Sequence, residues 1–112
     1  MPLEVLVSGC DEKSSSPLYL SIYDYNVIKE KIDSENRYRI TKKILSAYYG
    51  ERKVHVNELE DLKQEVSVIK DFFHTAMPDT TMLFLNEFVN RITLALSCGK
   101  ALVLTESGLP VF

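Results

Sequence analysis

Apolar and polar positions along the chain alternate with two periods, that of a strand and that of a helix. Leu3, Val5 and Val7 alternate with Glu4, Leu6 and Ser8, the two-residue period of a half-buried strand. Gly9 to Pro17 is a polar loop, and LYLSIY, residues 18–23, alternates again and is rich in strand-forming residues. Asp24 then caps a short helix to about Ile32, with Tyr25, Ile28 and Ile32 on one side. Asp33 or Ser34 opens a second helix that Gly50 stops, at residues 34–49; Ile40, Ile44 and Tyr48 point inward, and Arg39, Lys42 and Lys43 form a basic outer face.

Asn57 followed by Glu60 reads as a capping box, because each side chain can satisfy a free N–H of the other's turn. Leu59, Leu62, Val66, Ile69 and Phe73 continue that helix as a narrow apolar stripe, and His74 to Pro78 breaks it. A fourth helix runs from Asp79 or Thr80 to about Cys98, with Gly99 as its stop. Its apolar arc of Leu85, Phe88, Val89, Ile92, Ala95 and Leu96 is the widest, which predicts the central helix of the fold. ALVLTE, residues 101–106, is a third strand. The predicted order is β-β-α-α-α-α-β. The strands near the two ends then pair with one another, giving a mostly helical α+β single domain, residues 1–112, with about four helices on a small sheet.

VLVSGCDEKSSS, from Val5 to Ser16, has the look of a lipobox with a polar tether behind it. A secretory signal needs a basic start and about 7–15 apolar residues. MPLEVLVSG has no Lys or Arg and places Glu4 inside the apolar run. The strand reading is therefore expected, with Cys10 a small residue at its end. With only Cys10 and Cys98, far apart in sequence, no disulfide scaffold is expected, and both read as buried thiols in a reducing cytoplasm.

Composition fits an ordinary globular domain of 112 residues, and no apolar run approaches the roughly 18 residues of a membrane span. Charge is unevenly placed. Residues 29–53 hold eight basic residues against four acidic ones, a net +4, and since the whole chain carries −3 the remainder carries −7. One surface then attracts a given charged partner and another repels it.

Catalytic, cofactor and metal roles fall to no residue. Zinc needs three or four ligands at close spacing, and His55 and His74 stand apart. Cys10 has no partner histidine in a recognisable signature, and Gly9 is isolated where a phosphate loop would need several glycines. The chain is read as a binding protein with no enzyme activity.

Two surfaces are candidates. Asp61, Glu65, Val68 and Phe72 follow one another at spacings of four, three and four, nearly opposite the core stripe. They make an apolar pair bordered by carboxylates, an anchor with acidic steering for a basic protein partner. Alternatively, the helix at 34–49 covers Val68 and Phe72. The second surface is Arg37, Arg39, Lys42 and Lys43, with Tyr38 and Tyr49 to stack, which would suit nucleic acid. The segment from Gly50 to Val56 is long for a helix-turn-helix, whose turn has about 3–4 residues.

ILSAYYGERKVHVNELEDLKQEV and FLNEFVNRITLALSCGKALVLTES, within residues 40–106, resemble a pattern in small bacterial immunity proteins. In that pattern a helix ends in an aromatic, a charged turn follows, and an L-x-x-L helix begins after a capping residue. A long helix then closes on a small residue and Gly before an apolar strand. The chain departs from it in following Glu106 with Ser107 rather than another carboxylate. The resemblance implies a cytoplasmic antidote that binds and blocks a cognate toxin, commonly a nuclease, with no cofactor and no membrane. A regulatory or phage-encoded accessory protein, and a second copy of the chain as partner, fit the same residues.

Overall fold

The computed structural model describes residues 3–7, 18–33, 35, 37–45 and 52–106. Their elements are β1 (Leu3–Val7), β2 (Leu18–Leu20), α1 (Ile22–Ile32), α2 (Arg39–Ile44), β3 (Arg52–Val54), α3 (Val56–Phe73), α4 (Asp79–Cys98) and β4 (Leu102–Glu106). The architecture is α+β, and β1 and β4 do pair, antiparallel, from Leu3↔Glu106 to Val7↔Leu102. The sheet is larger than expected. It has four strands in the order β2-β1-β4-β3, every neighbouring pair antiparallel.

Val5, Leu18, Leu20, Val54, Leu102 and Leu104 are buried and join one core with the helices, whereas Tyr19, Lys53 and Val103 are more open, as the two-residue period requires. Each side chain pattern therefore fixes which face of the sheet the helices cover. The predicted first strand holds, since β1 is hydrogen-bonded on both sides and Val5 is fully buried. Cys10 lies outside the described residues, and Cys98 is half-buried rather than buried.

α4 is the central helix. It packs on α3, α1, β1 and β2. Leu85, Phe88, Ile92 and Ala95 are buried with Phe84, while Val89 and Leu96 border the core. Gly99 ends it at φ 65, the left-handed conformation that glycine adopts without penalty. Gly99 N–H donates to Leu96 O and Lys100 N–H to Ala95 O, so two of the last carbonyls are satisfied.

Four boundaries depart from the sequence pattern. The strand expected over 18–23 stops at Leu20, because Ser21 takes the cap of α1: its side chain accepts from Asp24 N–H at 3.1 Å. Asp24 therefore sits in the first turn instead of capping it, buried, accepting from Thr81 Oγ1 at 2.7 Å and tying α1 to α4. The capping box at Asn57 and Glu60 does not form. α3 begins at Val56 behind His55, with no side-chain cap, so Asn57 is already helical. The helix expected over 34–49 is described only as the six residues of α2, since Asp33 closes α1 and Tyr38, at φ −107 and ψ 54, stands outside the helical conformation at the head of α2. Tyr48 and Gly50 lie outside the described residues. Finally, β3 was not expected. Arg52–Val54 is short and basic, and it is a strand through its pairing with β4, Lys53↔Val103 and Val54↔Leu102. Such charge on an edge strand discourages pairing with another chain.

Candidate functional site

α3 buries Leu59, Leu62, Val66 and Ile69 on one stripe, with Phe73 half-buried at its end. Val68 and Phe72 fall outside that stripe and stay open: 41 % of Val68 and 59 % of Phe72 is exposed. The segment leading into α2 does not cover them. It runs antiparallel beside α3, with Arg37 near Phe72, Ile40 and Thr41 at Glu65, and Lys43 3.8 Å from Glu58.

The Glu65 carboxylate is committed to that seam. Oε2 accepts from Ile40 N–H at 3.2 Å, and Oε1 accepts from Thr41 N–H at 2.9 Å and Thr41 Oγ1 at 3.0 Å. α2 has no side-chain cap of its own at Tyr38. Glu65 thus supplies from a neighbouring helix the acceptor that a short helix normally finds in its N-cap residue. It is expected as a steering charge beside Asp61, and the structure gives it a structural role as well. Asp61 is exposed and lies outside any ion pair or hydrogen bond among the described residues.

Between α3 and the Arg37–Arg39 stretch lies an open groove of about 440 Å³, with Tyr38, Asp61, Glu65 and Val68 in its walls. A second depression of about 350 Å³ adjoins it and includes Lys63, Asp71 and again Val68, so Val68 stands on the ridge between the two. The Phe72 ring adjoins the groove through Arg37, which lines it. Phe73 meets it edge-on at 4.8 Å, and the Arg37 guanidinium carbon stands 5.0 Å from its centroid. An exposed aromatic thus has a ring and a cation as neighbours without being covered.

The two candidate sets merge here. Arg37 and Arg39 share the groove with Asp61, Glu65 and Val68, while Lys42 and Lys43 do not line it. Lys42 Nζ donates to Asp33 O at 3.2 Å, and Lys43 faces Glu58. Tyr38 cannot stack on a base as expected, since it is 1 % exposed, with the Arg37 guanidinium 5.2 Å from its ring. Its hydroxyl is buried without a hydrogen-bond partner among the described residues. Tyr49 lies outside the described residues. Two cations beside two carboxylates make a poor phosphate track, which needs several positive charges in sequence.

Sequence spacing found Val68 and Phe72 but missed Arg37 as the residue that orients Phe72. No local pattern could have linked them, because the contact joins segments 35 positions apart. Among the described residues, no three His, Cys, Asp or Glu side chains gather as a metal cluster, and no helix is long and apolar enough to cross a membrane. His74 Nδ1 lies 2.9 Å from Asp71 O, a local contact at the end of α3. In comparisons with protein-family models, curated proteins and solved structures, nothing matches this chain.

Proposed function

We propose that this chain is a protein-binding module that engages its partner through the outer face of α3, with Phe72 as the anchor. Single exposed apolar residues are ordinary on protein surfaces. Phe72 differs in that its ring is exposed and yet held, by Phe73 on one side and Arg37 on the other. An anchor ordered before binding loses little entropy on docking, and aromatics in such positions carry much of an interface's energy. That held, open ring is the observation that carries the reading.

In its specific form the module is an immunity protein, a cytoplasmic antidote that binds and blocks a toxin domain such as a nuclease. The support for this form is the resemblance over residues 40–106 together with an exposed acid, Asp61, on the same helix face as Phe72. Asp61 would speed encounter with a basic partner.

The test is co-expression with the product of the gene immediately upstream. An antidote protects cells from that product and binds it in purified form. Phe72→Ala is expected to weaken the complex by about 2 kcal/mol or more while the domain stays folded. Asp61→Asn is expected to slow association and flatten its salt dependence. A folded Phe72→Ala variant that binds as tightly as the parent would remove α3 from the interface.

A further inference from the structure

The groove beside Phe72 holds two guanidiniums whose surroundings differ. Arg37 has aromatic rings at 5.0 and 5.2 Å, and its one carboxylate neighbour among the described residues, Glu35, stands at 3.9 Å with both side chains partly open to solvent. Stacking occupies the faces of a guanidinium and leaves its in-plane N–H groups needing acceptors. Arg39 is exposed and has neither an ion pair nor a hydrogen bond among the described residues. The carboxylates in the same walls do not answer this demand. Glu65 already receives three donors from α2, and Asp61 is paired with neither arginine. The groove therefore presents donors in excess, next to an apolar ledge.

We propose that this groove receives the carboxylate of an acidic side chain on the partner, held by Arg37 and Arg39, while the adjoining apolar side chain of the same segment lies on Val68 and Phe72. The inference rests on the protein-binding reading and names the chemistry of the segment that enters. A carboxylate matches the fork of a guanidinium and needs only one or two of them. A nucleic-acid backbone spreads its charge over successive phosphates, and Lys42 and Lys43, which would have to continue the track, turn to Asp33 and Glu58. Asp61 on the far wall further penalises a second anion. It suits a segment that carries a cation beyond its acid.

The experiment is a titration of the intact, isotopically labelled chain, followed through the arginine side-chain N–H signals in NMR spectra. The probes are a capped pentapeptide of sequence Gly-Leu-Glu-Phe-Gly, its Gln analogue, and an oligothymidylate of about the same length. Saturable shifts of Arg37 and Arg39 are expected with the Glu peptide. The Gln analogue should bind at least about tenfold more weakly, the scale of one charge-assisted hydrogen bond. Arg39→Gln should weaken that preference and Arg39→Gln with Arg37→Gln should abolish it, whereas Phe72→Ala should lower affinity for both peptides and leave a preference in place. Equal response to the two peptides, or none to either, overturns the proposal. Tighter binding of the oligothymidylate overturns it in favour of nucleic acid. The co-expression test can fail separately: protection without peptide selectivity keeps the antidote and removes the carboxylate, and selectivity without protection does the reverse.

Discussion

Replacing Glu65 isolates what holds α2 in place. The helix has six residues, well below the length at which a helix persists alone, and it carries no cap within its own segment. Glu65→Ala removes the acceptor of two backbone N–H groups and one hydroxyl, and Thr41, which owns two of these donors, is 3 % exposed. Hydrogen bonds to a charged group contribute about 1.5–3 kcal/mol each, and a buried donor left without a partner costs about 1–3 kcal/mol. The three bonds share one carboxylate and do not add, so a loss of about 3 kcal/mol is expected. Alanine is the better helix former, so the loss cannot come from α3. Glu65→Gln keeps one oxygen for the Thr41 donors and should lose roughly half as much. Urea unfolding followed by circular dichroism measures the change. Glu58→Ala is the control: it removes the 3.8 Å contact with Lys43 and the first-turn acid of α3, and should cost less than about 1 kcal/mol. Hydrogen exchange of the Ile40 and Thr41 amides should accelerate in Glu65→Ala before the rest of the chain responds. If alanine at 65 costs no more than alanine at 58, the carboxylate does not hold α2.

Three further outcomes follow from other parts of the fold. Phe88→Ala should cost about 3–5 kcal/mol in urea unfolding, the range for an aromatic deleted from a core, because Phe88 is buried and stacks on Phe84 at 5.4 Å; an unchanged midpoint would make α4 peripheral. Tyr38→Phe should leave stability unchanged or raise it by about 1 kcal/mol, since it deletes a buried hydroxyl that has no partner among the described residues, and a clear loss would reveal a bond to that hydroxyl. Gly99→Ala should cost about 1–2 kcal/mol through its left-handed backbone alone, as a Cβ there meets nothing within 4 Å, and a neutral result in thermal unfolding would show that α4 can end another way.

How far the pattern of residues foretold this arrangement depends on the distance over which each decision is made. α4 was legible from end to end because its apolar arc and Gly99 lie within one continuous stretch. The spacing from Asp61 to Phe72 placed Val68 and Phe72 opposite the core stripe for the same reason, helical geometry being local, but left open whether another segment covers them. β3 was not legible. Arg52 and Lys53 have no strand preference, and only β4, about 50 residues on, makes them one. The capping box at Asn57 was a correct motif in the wrong frame, because β3 delivers the chain to the helix at His55, two residues early. The use of Glu65 was hidden most completely. A carboxylate on a helix face looks like solvent-facing charge until the segment that needs it is known to pass alongside.

The sheet order sets a timetable for a chain made from its N-terminus. β1 is an interior strand, yet its second neighbour, β4, begins at Leu102. While the ribosome adds the roughly 95 residues between Val7 and Leu102, at about 5–20 per second, one side of β1 stays open for roughly 5–19 seconds. During that interval β2, three residues long, can pair only with the opposite edge of β1 and leaves this one open. An uncovered apolar strand is a template for strands of other nascent chains. Polysome crowding and slow codons late in the message should therefore lower the yield of folded protein more than equal delays early on. A circular permutant that joins the neighbouring ends of β1 and β4, and opens between α2 and β3, would place the two strands side by side in sequence and remove that exposure.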